Sequence, residues 1–253
     1  MPTVDLRTLI DQLNTDDLRT LRDYIDTRLS ASEPTSAHMK IGLLADMHGD
    51  FDGFQHALRI FEREGVTHIL CAGDVADRGP GADQIVPILR ERGIICVAGN
   101  HDRTVPERQQ SLKDAQNAAR LRELGRVIDD STADYLRGLP DTADVTIAGV
   151  YLHIAHGAPW SDVVGIFPDT RQAIIDRVMA ATDAQIVLLG HTHQPMCLRY
   201  GDRLIINPGS VYNITARDSG TCAILTLPDA VTLYDLNSGD PIPLAITDRT
   251  PLT

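Results

Sequence analysis

The chain has 253 residues, of which 43% are hydrophobic, and it carries a formal net charge of -12. This length supports one substantial hydrophobic core with room for an appendage. The acidic charge argues against a long nucleic-acid groove, because such grooves neutralise many phosphates with Lys and Arg. No apolar run approaches the roughly 20 residues that cross a bilayer, and the first residues lack a signal-peptide pattern. We therefore expect a cytoplasmic protein with no membrane or long nucleic-acid partner.

The first 30 residues show apolar positions at helical spacing, interrupted around Asn14 and Thr15, where a new helix cap is favoured. These positions are Leu6, Leu9, Ile10, Leu13, Leu18, Leu21, Ile25 and Leu29. The pattern predicts a helical hairpin, followed over residues 30–38 by the Ser, Ala, Thr and Pro content of a linker. We expect an appendage over residues 1–38 and a main domain over residues 39–253. Three roles stay open for the hairpin: packing on the same chain, joining copies as a homo-oligomer arm, or marking a fusion or upstream start.

From Lys40 onward, short apolar runs alternate with amphipathic stretches. The runs at 41–45, 68–72 and 93–98 predict buried strands, and the segments Phe51–Glu64 and Ala82–Glu91 between them predict helices. Parallel strands need crossover connections of this kind. This part of the chain therefore predicts an α/β fold that opens with β-α-β-α-β.

The second half of the chain predicts a further sheet. Residues 105–139 are polar and mostly helical in pattern, residues 145–155 fit a hairpin that turns near Gly149, and a helix is expected near 169–181. Strand-like runs follow at 185–189, 196–200, 204–206, 222–227 and 231–236. We assign the last four of these runs to a second, mixed or antiparallel sheet.

The four cysteines lie in or beside apolar, strand-like runs, and none forms a C-x-x-C pair. They are Cys71, Cys96, Cys197 and Cys222. In a reducing compartment such residues behave as small buried hydrophobes. We expect no chemical role for them.

Polar residues stand at the ends of five predicted strands, which is where open α/β sheets bind their ligands. Asp46 and His48 follow the first strand, and the strand period of two projects both to the same side. The later strand ends carry Asp74, the run Asn100-His101-Asp102, His156, and the pair His191 and His193. Each motif alone fits an ordinary turn, because Gly, Asn and Asp favour turns. Together, nitrogen and oxygen donors at five strand ends predict a metal site.

The ordered motifs D-x-H, G-D-x-x-D-R, G-N-H-D, H-G and G-H-T-H span residues 40–236. This set resembles the signature of the calcineurin-like metallophosphoesterases, and it is nearest to the short bacterial and archaeal phosphodiesterases. Its G-D-x-x-D-R block is similar to that of protein phosphatases and diadenosine tetraphosphatases. The resemblance implies a four-layer α-β-β-α sandwich with two mixed sheets.

The resemblance also implies a binuclear centre whose ligands come from all five motifs. The first metal would bind Asp46, His48 and His193, the second would bind Asn100, His156 and His191, and Asp74 would bridge the two. Two carboxylates, one amide and four imidazoles suit divalent or trivalent Mn, Fe, Zn or Ni, with Mn favoured, and they suit Cu(I) poorly. Two divalent ions also leave the site net positive, so an acidic chain can still attract a phosphate.

In such a centre, a water between the two ions becomes a hydroxide near neutral pH and attacks phosphorus. By resemblance, His101 would protonate the leaving alkoxide, and Asp102 is the neighbouring carboxylate expected to orient it. Arg78 resembles an arginine that grips substrate phosphate, with a surface ion pair to Asp77 or Asp83 as the alternative. Arg103 and Asn100 complete the predicted substrate contacts.

The sequence therefore predicts a metal-dependent phosphoesterase acting on a small molecule, with a phosphodiester or nucleotide favoured. A protein Ser/Thr phosphatase or dinucleoside-polyphosphate phosphatase is an alternative, motivated by the G-D-x-x-D-R block. A third alternative is a metal-bearing interaction module without catalysis, which would use the N-terminal hairpin as its docking arm.

Overall fold

The structure is a computed structural model that describes residues 39–250, and the hairpin predicted over residues 1–38 lies outside the described residues. The helices are α1 (Phe51–Glu64), α2 (Ala82–Glu91), α3 (Asn100–Lys113), α4 (Ala118–Glu123), α5 (Asp130–Arg137) and α6 (Gln172–Ala180). The strands are β1 (Lys40–Leu44), β2 (His68–Cys71), β3 (Ile95–Cys96), β4 (Thr142–Ile147), β5 (Val150–Ala155), β6 (Ile186–Leu188), β7 (Met196–Tyr200), β8 (Arg203–Asn207), β9 (Thr221–Thr226), β10 (Ala230–Asp235), β11 (Pro241–Ile242) and β12 (Ile246–Arg249).

The first sheet has the strand order β11-β10-β9-β1-β2-β3. β1, β2 and β3 are parallel and are connected by α1 and α2, which confirms the predicted β-α-β-α-β opening. β9 pairs antiparallel with the other edge of β1 and places Ile224 opposite Gly42. The assignment of the runs at 222–227 and 231–236 to the second sheet is wrong, because they form β9 and β10 of the first sheet. An apolar run predicts a buried strand, but it does not specify which strand edge it pairs with.

The second sheet is mixed and has the strand order β12-β7-β8-β6-β5-β4. β5, β6 and β8 run parallel, whereas β4 is antiparallel to β5 and β7 is antiparallel to β8. The predicted hairpin joins β4 to β5 through Ala148 and Gly149, whose φ angles are 47° and 79°. Two positive φ angles are characteristic of a type I′ turn, which matches the twist of antiparallel strands.

Side chains of β1 alternate between two hydrophobic cores, as the pleat of a strand requires. Leu43 shares a buried cluster with Leu152 of the second sheet, so the two sheets pack face to face. Leu44 points to the other face and packs in a cluster with Phe54 of α1. On the outer face of the second sheet, α6 packs in a cluster with Val187. The layers are helices, sheet, sheet and helix, which confirms the predicted four-layer sandwich.

Two further observations concern the described residues. All four cysteines are buried and unpaired. Among residues 39–250, no helix combines the length and the apolar character needed to cross a membrane.

Candidate metal centre

The loops that follow five strands meet at one edge of the sandwich. The loops after β1 and β2 carry Asp46 and Asp74, Asn100 begins α3 after β3, and the loops after β5 and β6 carry His156 and His191. The carboxyl ends of parallel strands lie at the same edge of a sheet, so the segments that follow the parallel strands of one sheet lie close together. A hydrogen bond joins the two groups, in which the backbone N–H of His191 donates to Asp46 Oδ2 at 2.9 Å.

Residues in these loops adopt a left-handed backbone that non-glycine residues rarely use. The φ angle is 52° at Asp46, 47° at His48, 54° at Asp74, 67° at His191 and 58° at His193. Such conformations persist where the surrounding structure fixes them, and they cluster at functional sites. Here the loops restrain one another, because Asp46 N donates to Gly73 O at 2.9 Å and His48 N donates to Asp74 O at 2.8 Å.

Asp46, His48 and His193, here called the first trio, lie together and are buried. The Nε2 atoms of His48 and His193 are 3.1 Å apart. Asp46 Oδ1 lies 3.3 Å from His193 Nε2 and 4.0 Å from His48 Nε2. The ligand atoms of the three residues are within 4.8 Å of one another, which is close enough to share one cation. The structure thus brings together the three residues predicted for the first metal.

Asn100, His156 and His191, here called the second trio, form a similar group. Asn100 Oδ1 lies 3.2 Å from His156 Nε2 and 3.1 Å from His191 Nδ1. His191 Nδ1 is 3.3 Å from His156 Nε2. His156 is buried, whereas Asn100 and His191 are half-buried. These are the three residues predicted for the second metal.

Asp74 lies between the two trios. Its Oδ2 atom is 3.6 Å from Nε2 of His48 in the first trio and 3.3 Å from Nε2 of His156 in the second. Its Oδ1 atom accepts a hydrogen bond from the backbone N–H of His101 at 2.9 Å. Burial alone would raise the pKa of Asp74, but the adjacent His156 imidazole holds that pKa well below its usual range. This position is the one predicted for a carboxylate shared by two ions.

Hydrogen bonds at Nδ1 fix the tautomers of three of these imidazoles. In each case Nδ1 faces an oxygen acceptor, so the neutral ring carries its proton there and leaves the Nε2 lone pair free. The pairs are His48 with Ala76 O at 3.3 Å, His156 with Ala72 O at 2.7 Å, and His193 with Asp218 Oδ1 at 2.6 Å. Oriented Nε2 lone pairs are what a metal ion requires of histidine ligands.

The residues present fit divalent cations on three grounds. Asp46 Oδ1 is buried and has no hydrogen-bond partner among residues 39–250, although buried charge is normally paired or bound to metal. The Nε2 atoms of His48 and His193 face each other at 3.1 Å, an approach that is favourable when one ring is protonated or when both lone pairs bind one cation. Burial also lowers the pKa of His48 to about 4, which favours the neutral ring that can coordinate. At His156 the lowering by burial is outweighed by the Asp74 carboxylate, which raises the pKa to about 10, so this ring must lose a proton to coordinate.

His101 lies at the edge of the centre and is oriented by Asp77. Its Nδ1 atom is 2.7 Å from Asp77 Oδ2, and its ring stands edge-on to the ring of His48 with 4.9 Å between the ring centroids. The hydrogen bond with Asp77 raises the pKa of His101 above its ordinary value, so the protonated form is favoured. Ligand atoms of His48, Asp74 and His101 also lie within 4.8 Å of one another, so His101 is within reach of a cation as well.

The prediction that Asp102 orients His101 is wrong. The Asp102 carboxylate accepts hydrogen bonds from three backbone amides, those of Val75 at 2.9 Å, Ala76 at 3.1 Å and Gly99 at 3.0 Å. Asp102 lies in the first turn of α3, where its carboxylate caps the helix and supports the loop that carries Asp74. Adjacency in the chain favoured Asp102, but the first turn of a helix directs neighbouring side chains to different sides.

Arg78 lies beside the first trio. Its Nη1 atom is 3.7 Å from Asp218 Oδ1, and 35% of its side chain is exposed, so the guanidinium remains accessible to a ligand. The alternative of an ion pair with Asp77 or Asp83 is wrong, because the carboxylate that faces the Arg78 guanidinium is that of Asp218. Asp77 and Asp83 pair with other arginines.

Asp218 is a residue of the site that sequence reasoning misses. Its carboxylate accepts from His193 Nδ1 at 2.6 Å and also lies beside Arg78. Burial would raise the pKa of Asp218, but the hydrogen bond with His193 lowers it. Asp218 stands in an irregular segment with no recognisable spacing to its partners. Only the resemblance-derived role of His193 as a ligand could have prompted a search for such a carboxylate.

Two clefts adjoin the centre. The wide cleft has a volume of about 1160 Å³, and its lining includes Arg78, Phe167, His191, His193 and Arg217. Arg217 is exposed, and no ion pair engages its guanidinium within the described part of the chain. Sequence reasoning gave no signal for Arg217.

The narrow cleft has a volume of about 350 Å³ and is lined by His156, Trp160 and Arg103 among others. Arg103 is already engaged by two carboxylates, those of Asp141 and Asp162. The predicted substrate contact of Arg103 would therefore compete with these ion pairs. The two clefts thus differ in how much positive charge they offer to a ligand.

A family model, the calcineurin-like phosphoesterase superfamily domain, matches residues 39–230. The chain therefore belongs to this superfamily, as the ordered motifs predicted. Phosphodiesterase MJ0936 of Methanocaldococcus jannaschii is 24% identical over 176 residues, which cover 68% of this chain and 83% of the relative. Phosphodiesterase YfcE of Escherichia coli K12 is 23% identical over 180 residues, which cover 68% of this chain and 79% of the relative.

Solved structures show the same fold. A metallophosphoesterase from Sphaerobacter thermophilus has a TM-score of 0.62 at 23% identity and covers 82% of this chain and 89% of its own. The hypothetical protein PH1004 from Pyrococcus horikoshii OT3 has a TM-score of 0.64 at 16% identity and covers 78% of this chain and 87% of its own. YfcE from E. coli has a TM-score of 0.50 at 21% identity and covers 81% of this chain and 97% of its own.

Proposed function

We propose that this chain is a binuclear phosphodiesterase that hydrolyses small-molecule phosphate esters, with nucleotide-like diesters favoured. The first trio would hold one cation, the second trio would hold another, and Asp74 would be shared by both. The nitrogen and oxygen donors suit Mn, Fe, Zn or Ni, of which Mn is favoured. The phosphodiesterase names of the two relatives support the substrate class.

One observation carries this proposal: lone pairs of both trios converge around the Asp74 carboxylate. Asp74 Oδ2 lies within 3.6 Å of one imidazole from each trio, and Asp46 Oδ1 is buried without a hydrogen-bond partner among the described residues. A protein that used these residues only for structure would pair such groups with donors. Their arrangement is suited to cations and, through cations, to a phosphate.

Bound divalent cations lower the pKa of water towards neutrality and neutralise charge on phosphate oxygens. The residues of the chain supply the remaining functions. Arg78 offers N–H donors and a fixed positive charge to a phosphate oxygen. His101, held at Nδ1 by Asp77, leaves Nε2 to donate a proton to the leaving oxygen.

Hydrolysis of dinucleoside polyphosphates is a second candidate function. The wide cleft places Arg217 in the same lining as Arg78 and the ligand histidines, so a second phosphate group could contact a free guanidinium there. A simple diester has no second charged group for Arg217 to bind.

Metal analysis together with a substrate panel tests the proposal. The full chain purified with Mn²⁺ should bind about two cations, and it should hydrolyse bis(p-nitrophenyl) phosphate in a Mn²⁺-dependent manner. The panel should include p-nitrophenyl phosphate, cyclic nucleotides, dinucleoside polyphosphates and phosphopeptides. His68→Ala is the matched control, because His68 is an exposed histidine of β2 that belongs to neither trio.

Each alternative has its own outcome. Bound metal without turnover of any ester would indicate a metal-bearing interaction module. Turnover of phosphopeptides alone would indicate a protein phosphatase. If the chain binds no transition metal, the proposed function is wrong.

His101→Ala separates the two possible uses of that imidazole. As a proton donor, His101 can be removed without loss of metal, and turnover of an ester with a poor leaving group should fall about 10²- to 10⁴-fold. Loss of one cation per chain in this variant would instead identify His101 as a ligand.

A further inference from the structure

The Asp77 carboxylate has two side-chain partners, His101 and Arg126. Its Oδ2 atom lies 2.7 Å from His101 Nδ1 and accepts a hydrogen bond from Arg126 Nη1 at 3.3 Å. The same Nη1 atom forms an ion pair with Asp77 Oδ1 at 3.0 Å, although Oδ1 accepts no hydrogen bond among residues 39–250. Asp77 is only 5% exposed. The terminal torsion of an Asp side chain is broad, so one partner alone would leave the carboxylate free to rotate. The second partner, Arg126, restricts this rotation and, with it, the direction of the His101 ring.

Arg126 reaches Asp77 from a loop that a buried glutamine holds in place. Gln109 of α3 is 4% exposed. Its Nε2 atom donates to Arg126 O at 2.9 Å and to Val105 O at 2.9 Å, and its Oε1 atom accepts from Ile128 N at 2.9 Å. The side-chain amide of Gln109 therefore holds the loop by hydrogen bonds to the residues on either side of residue 127. A buried polar side chain with this many satisfied contacts rigidifies its surroundings.

The residue before Arg126 brings the loop against the G-D-x-x-D-R segment. Gly125 has a φ angle of 70°, and a Cβ atom built on it would overlap the carbonyl oxygen of Gly79 at 1.8 Å. Only glycine combines this backbone with so close an approach. The contact places the 124–128 loop directly over the segment that carries Asp77 and Arg78.

We propose that Arg126 is a positioning residue for the acid of the reaction: it holds Asp77, and Asp77 holds His101. The inference rests on the proposed function of His101 as proton donor. It gives a role to residues 124–128, a segment that carries none of the five motifs. Arg126 itself would not touch the substrate, because it lines neither the wide nor the narrow cleft.

The first test uses leaving groups of different quality. Arg126→Ala should lower kcat about 10- to 100-fold for a phenyl or alkyl phosphate ester, because a displaced acid transfers its proton poorly. The same variant should change kcat less than about threefold for the p-nitrophenyl ester, whose leaving group needs little protonation. KM should stay unchanged for both esters, and the bound metal should remain at the wild-type level.

Three companion variants sharpen this test. Arg126→Lys should recover part of the rate lost in Arg126→Ala, because Lys keeps the positive charge but lacks the planar guanidinium group. Arg108→Ala is the matched control, because Arg108 is an exposed arginine that lines, together with Asp77 and Arg126, a small cavity of about 190 Å³. No ion pair engages Arg108 within residues 39–250. In an Asp77→Asn background, Arg126→Ala should add little further loss, because the two residues act through one contact.

The second test does not depend on turnover. In the full chain loaded with diamagnetic Zn²⁺, the hydrogen-bonded Nδ1–H of His101 should give a protected proton NMR signal, assigned by its loss in His101→Gln. Arg126→Ala should broaden or remove this signal, and Arg108→Ala should leave it intact. An unchanged signal in Arg126→Ala, or equal rate losses for good and poor leaving groups, would overturn the inference. If the wild-type chain hydrolyses no ester, the proposed function fails while the NMR result still decides whether Arg126 positions His101.

Discussion

The two trios of the metal centre differ in charge and in exposure. The first trio contains the carboxylate of Asp46, and all three of its members are buried. The second trio has the neutral amide of Asn100 in the corresponding place, and both Asn100 and His191 are half-buried. A cation at the first trio gains more charge stabilisation and less competition from water. We therefore expect two cation sites of unequal affinity, with the tighter site at Asp46.

The largest effect is expected from the residue that both trios share. Asp74→Ala removes the carboxylate between the two trios, so both cations should bind weakly. Turnover should fall by more than roughly 100-fold, which is the upper range for losing a residue that only supports a metal ligand. Inductively coupled plasma analysis of the purified variant, together with kcat/KM on bis(p-nitrophenyl) phosphate, measures both effects. Retention of both cations at wild-type affinity would show that Asp74 is not shared.

A pair of histidine variants tests the inequality directly. His191→Ala should release the weaker cation and keep about one per chain, whereas His48→Ala should weaken the tighter site. Titration calorimetry with Mn²⁺ on both variants resolves the two affinities. The predicted order of affinities is wrong if His191→Ala abolishes the tighter binding event and His48→Ala leaves it unchanged.

Asp218→Asn tests the support of the first trio. The variant keeps the shape of the side chain but removes the charge that faces His193 Nδ1, so affinity at the tighter site should fall about 10- to 100-fold. Asp144→Asn is the control, since Asp144 Oδ1 faces His153 Nδ1 at 2.8 Å and neither residue belongs to a trio. Equal effects of the two substitutions would show that Asp218 does not act through the metal.

The smallest predicted effect compares the two clefts. Arg217→Ala should raise KM for a dinucleoside polyphosphate about fivefold, which is the upper range for one exposed charge contact. Arg103→Ala should change KM less, because carboxylates of Asp141 and Asp162 already engage its guanidinium. Steady-state kinetics of both variants on that substrate and on a simple diester makes the comparison. A larger effect of Arg103→Ala would place the polyphosphate in the narrow cleft.

The sequence predicts the parts of the centre that follow from local pattern. Strand ends of parallel sheets share an edge, so the approach of Asp46 to Asp74 follows from the sequence. The strand period does not decide the directions of Asp46 and His48, because both lie beyond β1 in a left-handed backbone. The division of the ligands into two groups came from the family resemblance. The structure brings both predicted groups together.

Other contacts could not be predicted, because they join residues with no common spacing. Asp218 meets His193 through an irregular segment, and Arg126 meets Asp77 across 49 residues. The assignment of β9 failed for a related reason, since two apolar runs of similar pattern are equally good neighbours for β1. Asp102 was predicted as the partner of His101 from adjacency in the chain alone, and adjacency does not decide the direction of a side chain in the first turn of a helix.

The antiparallel pairing of β9 with β1 has a consequence for biosynthesis. Val211 N and Tyr212 N donate to the carbonyls of Ala45 and Asp46 at 3.0 and 3.1 Å, and β9 then covers the free edge of β1. Translation proceeds from the N-terminus, so a nascent chain presents Asp46 and His48 long before these late contacts exist. The edge of β1 and the loop that carries Asp46 and His48 therefore reach their final contacts only after residues 211–226 have been synthesised.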